Sequence, residues 1–307
     1  MPSATHRQRT PIAATRLTLS ETQLGCSRAP EGGPQTAPGG DSGDTYTTGK
    51  QRKLQEAATR ATLAAGITLQ LLNVQSLLPK LPDVCSELHQ RDSHILCYTE
   101  TNLKTGTPDR LVNLPGYNIF RRDRIIGRKK SGGGVAIVTK DTLQVTRVDS
   151  SIPACSRSHT ETPWLNIKLD KRRSTIIEAI YRAPSTTATQ THSHFDHIEE
   201  QLQAIIEAHP TKRITLAGDL NADVHTNPAA HQRLLELQKY GLHNLVTEPT
   251  FYRGDARSVV DVVLVSDQLC EAPIPPTCSI QPCHYASHHR RVTVTTHHRR
   301  VTVTTAE

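Results

Sequence analysis

Short apolar segments alternate with amphipathic ones along most of the chain, and many apolar segments end in a polar residue. Apolar runs of this length are typical of buried strands. They predict strands at 67–73, 94–98, 118–121, 135–138, 163–169, 174–181, 213–218, 258–266 and 290–296. Helices are predicted at 77–91, 192–209 and 229–239. The order strand, helix, strand over 67–98 is typical of an α/β fold.

The segment 213–223, RITLAGDLNAD, is the most informative of these runs. If the strand continued beyond Gly218, Asp219, Asn221 and Asp223 would share one face, because strand side chains alternate. Carboxylates and amides that close suit a hard cation such as Mg²⁺, or the orientation of a water beside a phosphate. The same residue types also favour turns. This segment by itself is equally compatible with a site and with a turn.

The first 66 residues have a different pattern from the rest. Residues 1–50 are rich in Thr, Ser, Pro, Gly and Gln and have almost no apolar periodicity, while residues 51–65 are compatible with a short helix that would bury little. Such a composition does not bury enough apolar surface to offset chain entropy. We predict a disordered leader over 1–66, which agrees with a chain that is only 36% hydrophobic and 4% aromatic.

Charge and targeting signals narrow the class of protein. The net charge of +7 and the isoelectric point of about 9.1 suit a polyanionic partner such as nucleic acid. No apolar run is long enough to span a membrane and no signal peptide is recognisable, so we expect an intracellular protein that is not secreted. The seven cysteines include no CxxC pair and are expected to be reduced, structural thiols.

A basic run follows the strand predicted at 118–121 and precedes three glycines at 132–134. It is compatible with a solvated hairpin loop, but with this net charge we favour a contact with phosphate groups. The predicted DNA-binding residues are Arg121, Arg122, Arg124, Arg128, Lys129 and Lys130, together with Arg182 beyond a later strand.

An HxHxDH sequence at 192–197 resembles the zinc motif of the metallo-β-lactamase family, and it would use His192, His194, Asp196 and His197 as ligands. The competing interpretation is the start of a helix. Ser193 and Asp196 have the spacing of a capping box, and the apolar residues that follow have helical spacing. We favour the helix.

Two further features lie near the C-terminal end. Asp261 is the one charge within the apolar run 258–266, and a buried carboxylate needs a partner. Residues 288–296, HHRRVTVTT, recur unchanged at 297–305. One copy is too little for a solenoid, so we interpret it as a local duplication whose second copy is a frayed or edge strand.

Seven short motifs occur in an order that resembles the endonuclease/exonuclease/phosphatase superfamily, in particular the apurinic-endonuclease-like domain of non-LTR retrotransposons. They are LLNVQSL (71–77), TETNL (99–103), GGGVAIV (132–138), YRAP (181–184), GDLNAD (218–223), SVVDVVLVS (258–266) and SHH (287–289). The resemblance covers about 67–296. It implies an α/β four-layer sandwich of two packed mixed β-sheets flanked by helices.

The resemblance also implies a Mg²⁺-dependent endonuclease, with Mn²⁺ as an alternative, that nicks DNA and leaves a 3′-hydroxyl for reverse transcription. It implies that Glu100 holds the metal, with Asn73 beside it. The other implied roles are activation of water by Asp219, phosphate binding by Asn221, donation to a phosphate oxygen by Tyr181, and an acid, base or electrostatic role for His289, whose tautomer Asp261 sets.

The resemblance fails at position 288, where the family usually has Asp and this chain has His288. The missing carboxylate normally lies near the metal, so we predict weaker metal binding and reduced activity. Arg291 also replaces a frequent Pro, which suggests a sequence that has drifted. A decayed domain that only binds nucleic acid is therefore an alternative, as is a phosphomonoesterase of the same fold.

The expected domain organisation is a leader at 1–66, an endonuclease-like domain at 67–296 and a duplicated tail at 297–307. The reverse transcriptase that such an element would carry is not found in the sequence. DNA as substrate would place the protein in the nucleus. The target site and the oligomeric state are not predicted.

Overall fold

The structure, a computed structural model, describes residues 66–91, 93–123, 132–148, 163–169, 173–184, 188–286 and 288–297. The predictions for residues 1–65 and 298–307, including disorder and a second strand copy, lie outside the described residues. None of the described helices is long and apolar enough to cross a membrane.

The described residues form fourteen strands and four α-helices. The strands are β1 (Ile67–Asn73), β2 (Ile95–Thr99), β3 (Tyr117–Arg122), β4 (Val135–Lys140), β5 (Gln144–Arg147), β6 (Trp164–Lys168), β7 (Ser174–Tyr181), β8 (Arg213–Asp219), β9 (Leu242–Asn244), β10 (Phe251–Arg253), β11 (Ala256–Ser258), β12 (Asp261–Ser266), β13 (Thr277–Gln281) and β14 (Arg291–Thr296). The helices are α1 (Leu81–Arg91), α2 (Ala188–Ala208), α3 (Pro228–Leu237) and α4 (Asp267–Cys270).

Twelve of these strands form two six-stranded sheets. Sheet A has the order β13-β14-β1-β2-β4-β3, and sheet B has the order β5-β6-β7-β8-β12-β9. Each sheet contains one parallel pair, β1 with β2 and β7 with β8, and all other neighbours are antiparallel. Strands β10 and β11 form a separate hairpin. Both sheets are therefore mixed.

The two sheets pack face to face over one apolar core. Leu71 and Ile137 of sheet A belong to the same buried cluster as Ile177, Leu216 and Val263 of sheet B. The cluster extends to the buried face of α2, while α1 covers a second apolar cluster on the other side of sheet A. The result is helix, sheet, sheet, helix, and the predicted four-layer sandwich is confirmed.

Three predicted boundaries are wrong. The α-helix expected at 77–91 begins at Leu81, because Leu78–Lys80 form a 3₁₀ turn before it. Helix α2 begins at Ala188, so Ser193 lies inside the helix and does not cap its start. Strand β12 begins at Asp261 and not at residue 258, because Ser258 pairs within the β10–β11 hairpin. The carbonyls of Val259 and Val260 instead accept hydrogen bonds from the loop after β8. Asp261 is thus at the first position of its strand.

The strand directions bring polar residues to one edge of the sandwich. Strands β1, β2, β7 and β8 end at this edge, and β12 begins there, because Asp261 is paired in register with Asp219 at the end of β8. Five described non-glycine residues have positive φ, and all of them follow β1, β2 or β8: Gln75, Ser76, Glu100, Asn102 and Asn221. Such conformations cluster at functional sites, which points to this edge.

Candidate active site

Asp219 is the centre of the site. It is the last residue of β8 and is fully buried. The Asn73 amide donates to its Oδ2 at 2.8 Å, and the Asn221 main-chain N–H donates to its Oδ1 at 2.8 Å. The Asn221 side-chain amide lies 3.3 Å from Oδ2. A carboxylate held by donors on three sides has one fixed orientation.

The loop after Asp219 is a tight turn and not a continued strand. Asn221 has φ of 46°, so the expected alternation of Asp219, Asn221 and Asp223 on one face is not formed. The Asn221 amide donates to the Arg182 carbonyl at 2.8 Å. Asp223 accepts from the His225 N–H at 2.9 Å and shapes the next turn. The strand-end segment therefore supplies Asp219 and Asn221 to the site, and Asp223 is a loop residue.

Asp261 has the partner that its burial requires. His289 Nδ1 lies 3.0 Å from Asp261 Oδ2, and His289 Nε2 lies 3.9 Å from Asp219 Oδ2. The second oxygen of Asp261, Oδ1, is buried and has no hydrogen-bond partner among the described residues. The imidazole is thus between two carboxylates, one at each ring nitrogen.

Asp219, His289 and Asp261 form a triad in which burial and neighbouring charges raise the pKa of two members, Asp219 and His289. Burial is the main cause that raises the pKa of Asp219 to about 7, and the charge of Asp261 raises it further, against the lowering effects of His289, Asn73 and Asn221. For His289, burial lowers the pKa, but Asp261, Asp219 and Glu100 outweigh it and raise the pKa to about 9. Near neutral pH, His289 is therefore an imidazolium and Asp219 is close to its midpoint.

Glu100 follows β2 at the same edge. Its φ is 50°, and its Oε1 accepts from the Tyr181 hydroxyl at 3.0 Å. Its carbonyl accepts from the Ser76 N–H at 2.7 Å, which joins the loops after β1 and β2. Glu100 and Tyr181 come from different sheets, so the hydrogen bond also links the two sheets at the site.

Comparison with known proteins supports the resemblance seen in the sequence. A family model described as endonuclease-reverse transcriptase matches residues 175–293. The endonuclease domain of TRAS1, a telomere-specific non-LTR retrotransposon, is 16% identical with a TM-score of 0.57, over 76% of this chain and 100% of that chain. An AP endonuclease from Leishmania major is 15% identical with a TM-score of 0.60, over 76% and 89%. A search of curated proteins found no match.

A third structure adds a different activity on the same architecture. The 3′-5′ exonuclease from Neisseria meningitidis is 16% identical with a TM-score of 0.56, over 74% of this chain and 98% of that chain. This chain has the fold of the endonuclease/exonuclease/phosphatase superfamily. The resemblance predicted from the sequence is confirmed at that level.

The predicted metal residues can be compared with the side chains whose ligand atoms lie close together in this structure. Among the described residues, Asp219, Asp261 and His289 form the one group of at least three side chains whose ligand atoms lie within 4.8 Å of one another. Glu100 and Asn73, the predicted metal residues, are outside that group. Their carboxylate and amide oxygens are nevertheless ligand atoms that a hard cation such as Mg²⁺ prefers. In this structure Glu100 Oε1 accepts from the Tyr181 hydroxyl at 3.0 Å and Asn73 Oδ1 accepts from the Gln75 N–H at 3.0 Å, and each oxygen has a further lone pair. These residues therefore fit the cation that the superfamily resemblance implies.

The zinc motif does not form a ligand group among the described residues. Its four residues, His192, His194, Asp196 and His197, lie on α2. Asp196 forms an ion pair with Arg233, and burial is the main cause that lowers the pKa of His194 to about 3. The helix interpretation is confirmed, although the helix begins earlier than expected.

The predicted DNA-binding residues are divided by the structure. Arg124, Arg128, Lys129 and Lys130 lie outside the described residues. Arg122 is half-buried on β3, and Arg121 forms ion pairs with Asp109 at 3.0 Å and Asp123 at 3.7 Å. Arg182 is only 4% exposed and donates to the carbonyls of Leu220 and Asn221, the latter at 2.7 Å. Its geometry is that of a residue that positions the Asp219 loop, whereas a DNA contact requires an accessible guanidinium.

The β10–β11 hairpin was missed by the sequence analysis. Phe251 packs edge-on against the His289 ring, with centroids 5.0 Å apart. Tyr252 has the Arg290 guanidinium 3.8 Å from its ring centroid and that of Arg257 at 5.7 Å. The available signal was the segment 250–258, in which Gly254 lies between two short runs, but three-residue strands are too short for a periodic pattern.

His288, the departure from the family pattern, is exposed. Its carbonyl accepts from the Tyr252 N–H at 2.9 Å, and its ring is edge-on to Phe251, with centroids 5.8 Å apart. The side chain at this position therefore packs on the hairpin, and no carboxylate is available from it.

Proposed function

We propose that this chain is a metal-dependent phosphodiesterase that nicks DNA. The observation that carries the proposal is the triad at the sandwich edge, in which Asp219 is held by two amides and faces the His289–Asp261 pair. A positioned carboxylate beside an imidazolium suits phosphoryl transfer, which needs an activated water and stabilisation of negative charge.

In the proposed mechanism Asp219 accepts the proton of the attacking water. A general base is most effective when its pKa is close to the working pH, and burial raises the pKa of Asp219 to about 7. Asn73 and Asn221 fix the carboxylate, and Arg182 holds the loop that carries Asn221. Asn221 has the further role of binding a phosphate oxygen, as the family resemblance implies, and its side-chain amide would exchange the 3.3 Å contact with Asp219 Oδ2 for that oxygen.

His289 provides positive charge next to the phosphate. Asp261 binds Nδ1, so Nε2 carries the proton that faces the reacting group. Because an imidazolium has no free lone pair, the triad is better suited to handling protons than to binding a cation. Glu100, with Asn73 beside it, is therefore the proposed Mg²⁺ or Mn²⁺ position.

When bound there, the cation supplies positive charge that stabilises phosphate oxygens. The Tyr181 hydroxyl has one proton, which it donates to Glu100 in this structure. In the proposed reaction the hydroxyl rotates away from Glu100 and donates this proton to a phosphate oxygen in the transition state. The bond from phosphorus to O3′ breaks, and the departing O3′ takes a proton from water to become the 3′-hydroxyl that the retrotransposon resemblance implies.

DNA is the proposed substrate on three grounds. The net charge is +7, and the Arg290, Tyr252 and Arg257 stack lies on the hairpin that contacts His289. Stacked aromatic and guanidinium groups suit nucleic acid. The matching family model is described as endonuclease-reverse transcriptase, and one similar structure is the endonuclease domain of a retrotransposon. A nuclear location would follow from this substrate.

The alternative is a domain that binds nucleic acid without cleaving it. It is favoured by one observation, the histidine at position 288 where the family usually has a carboxylate near the metal. Weaker metal binding would reduce activity even with the triad intact. The two functions differ in whether nicking is detectable and in what His288→Asp does to it.

A supercoiled-plasmid nicking assay tests the proposal. We expect nicking that depends on Mg²⁺, stops with a chelator, is lost in Asp219→Ala and increases in His288→Asp. Asp223→Ala is the matched control, because Asp223 is in the same loop but outside the triad. Nicking that appears only in His288→Asp would favour the decayed domain, and nicking unchanged by Asp219→Ala would refute the site.

A gel shift at rising salt tests DNA binding separately from cleavage. Contacts with phosphate groups release counterions, so affinity should fall steeply with salt. DNA binding that does not depend on salt would contradict the proposal that the protein contacts the phosphate backbone of DNA.

A further inference from the structure

Glu100 lies in the loop after β2, and main-chain hydrogen bonds hold that loop on both sides. The Glu100 side chain is long, so its hydrogen bond from the Tyr181 hydroxyl does not by itself fix the position of the carboxylate. The main chain is fixed more firmly. The two peptide units after Glu100, 100–101 and 101–102, each bond one neighbouring loop through the carbonyl and another through the N–H.

The carbonyls of these two peptide units face the loop after β1. The Glu100 carbonyl accepts from the Ser76 N–H at 2.7 Å, and the Thr101 carbonyl accepts from the Leu77 N–H at 2.9 Å. The loop after β1 also carries Asn73 into the site, so these bonds fix the two predicted metal residues relative to each other.

The N–H groups of the same peptide units face the glycines that precede β4. The Thr101 N–H donates to the Gly134 carbonyl at 3.1 Å, and the Asn102 N–H donates to the Gly133 carbonyl at 2.9 Å. We call the four hydrogen bonds of the two peptide units the backbone clamp. Each peptide unit is held at both ends, so the clamp sets the direction in which the Glu100 side chain leaves the main chain.

The clamp needs left-handed backbone angles on all three loops. The angle φ is 87° at Ser76, 50° at Glu100 and 53° at Asn102, and it is between 81° and 89° at the three glycines 132–134. Glycine adopts such angles freely and asparagine tolerates them, whereas most other residues are strained there. Asn102 is also exposed, so replacing its side chain changes the backbone preference without disturbing the core.

We propose that Asn102 is a positioning residue for the metal site, because its left-handed conformation keeps the backbone clamp closed and so places the Glu100 carboxylate. The inference rests on the proposed function, in which Glu100 holds Mg²⁺ or Mn²⁺. If residue 102 left the left-handed region, the 101–102 peptide would rotate and lose its bonds to Leu77 and Gly133. Glu100 would then keep its side chain but lose its orientation.

Amide hydrogen exchange tests the clamp without any cation. Gly, Ala and Val at position 102 all remove the asparagine side chain, but they tolerate φ of 53° in that decreasing order. We expect exchange at the Leu77 N–H to stay slow in Asn102→Gly and to become faster in Asn102→Val by about tenfold or more. Asn102→Ala should be intermediate, and it replaces Asn102→Val if that variant does not fold. Equal exchange in the Gly and Ala or Val variants would overturn the proposal.

Binding of Mn²⁺ alone, measured by electron paramagnetic resonance, tests the effect on Glu100. Residues that orient a metal ligand are typically worth about 10- to 100-fold in metal affinity, so Asn102→Val should bind Mn²⁺ more weakly by about that factor. Asn102→Gly, the conservative variant, should bind nearly as tightly as the wild type. Equal weakening in both variants would show that the side chain matters and the conformation does not, which would overturn the proposal.

Gly116→Val is the matched control for strain. Gly116 has φ of 78°, and a Cβ there would meet nothing within 4 Å. It precedes β3 at the end where Tyr117 pairs with Lys140, whereas the site is at the other end, where Arg122 pairs with Val135. Gly116→Val should lose stability to a similar degree as Asn102→Val and keep the Mn²⁺ affinity of the wild type. Weaker Mn²⁺ binding in Gly116→Val would mean that general destabilisation, and not the clamp, causes the effect.

Plasmid nicking at rising Mg²⁺ separates this role from the proposed function. Asn102→Val should need more Mg²⁺ for half-maximal nicking and should approach the wild-type rate at saturation, because the cation is bound less tightly and the triad is intact. A lower maximal rate with an unchanged Mg²⁺ requirement would overturn the positioning role. Mn²⁺ binding that is equal in the wild type and in Glu100→Gln would instead refute the proposed metal position, and exchange at Leu77 would still decide whether Asn102 keeps the clamp closed.

Discussion

Two clusters of buried charge lie on either side of the short segment His289–Arg291, and they differ in how their charges are balanced. At the sandwich edge, two carboxylates share one histidine, and Asp261 Oδ1 has no hydrogen-bond partner among the described residues. On the outer face of sheet A, the Arg291 guanidinium donates to Glu87 at 2.5 Å and to the Cys283 sulfur at 3.2 Å.

The second cluster is closed by further contacts. The Tyr285 hydroxyl donates to Glu87 Oε2. Glu87 Oε1 has no hydrogen-bond partner among the described residues, as is also true of Asp261 Oδ1, but it forms an ion pair with the exposed Arg91, whose Nε lies 3.2 Å away. The charge of the Glu87 carboxylate is balanced by the neighbouring arginines and its Oε2 accepts from a hydroxyl. We call this the closed cluster, because its carboxylate stabilises the fold and is not available to bind a substrate. The Asp219 cluster has excess negative charge, which is suited to exchanging protons.

The comparison also changes the meaning of Arg291. From the sequence, the arginine in place of a frequent Pro suggested drift. In the structure, Arg291 is 2% exposed and joins β14 to α1 through Glu87. A buried guanidinium without a partner would be strongly destabilising, so Arg291 and Glu87 are a compensated pair. This position by itself is not a sign of decay.

The largest expected effect is a loss of plasmid nicking when the Asp219 cluster, and not the Glu87 cluster, is changed. Asp219→Asn should lower the rate of plasmid nicking by about 10² to 10⁴, because it removes the proposed base while keeping the size of the side chain. The melting temperature at pH 8 should change little, because relief from burying an ionised carboxylate opposes the loss of an acceptor for the amides of Asn73 and Asn221. Asp223→Asn is the control in the same loop, and a similar loss of nicking there would mean that the turn, and not the base, is being perturbed.

Glu87→Gln should have the opposite effects, a loss of stability with no loss of nicking. Removing one partner of a buried pair leaves Arg291 uncompensated, with a loss of about 3–5 kcal/mol in the free energy of unfolding. Nicking per folded molecule should be retained, because Glu87 is not part of the site. Urea unfolding together with nicking at a temperature where the variant is folded would measure both.

A double variant sharpens this prediction. In Glu87→Gln with Arg291→Met both charges are absent, and much of the lost stability should return, because an apolar replacement of a buried pair is often nearly neutral. If the double variant is as unstable as the sum of the single ones, the pair is not acting as a unit and the closed-cluster interpretation is wrong.

The sequence predicted the fold class and several of the polar residues that the structure brings to the sandwich edge, whereas the roles of those residues stay predictions. Asn73, Glu100, Tyr181 and Asp219 each end or follow an apolar run, so the pattern that identifies a buried strand also marks its polar end. The directions of the strands then bring those ends together. The partner of Asp261 could be expected because a buried carboxylate requires one.

Other features left no local pattern. Strands β5, β9, β10, β11 and β13 are short and partly exposed, so their sequences have little periodicity. The Glu87–Arg291 pair joins residues 204 apart, and nothing near either residue identifies the other. The orientation of Arg182 depends on carbonyls of a turn whose φ angles were not predictable from its composition.

The pH dependence of nicking gives a further way to separate the clusters. Activity should rise through about pH 7 as Asp219 loses its proton, and fall through about pH 9 as His289 loses its own. Asp261→Asn removes a charge that raises the pKa of both groups, so both limbs should move to lower pH, the alkaline one by about one unit or more. Glu87→Gln should move neither. An alkaline limb unchanged in Asp261→Asn would disconnect His289 from its assigned role.

The most gradual effect is the dependence of stability on pH, and it follows from the sign of the same pKa shifts. Asp219 and His289 both have a higher pKa in the folded protein than the ordinary values of about 4 and 6.5. A raised pKa stabilises the fold below the ordinary value and loses that contribution as pH rises through the folded value. Unfolding free energy should therefore decline from about pH 4 to 7 through Asp219, and from about 6.5 to 9 through His289. Each group contributes at most about 1.4 kcal/mol per pH unit.

Urea unfolding from pH 5 to 9 would measure this decline in the wild type and in Asp219→Asn. The variant should lose the slope below pH 7 and keep the slope caused by His289, although the removal of one carboxylate should move that slope to lower pH. Arg291 should add no slope in this range, since its pKa, which burial lowers and the charge of Glu87 raises more, is held above its ordinary value. An unchanged slope between pH 5 and 7 in Asp219→Asn would mean that Asp219 is already ionised in the folded protein. The distinction between an unbalanced and a closed cluster would then have to rest on geometry alone.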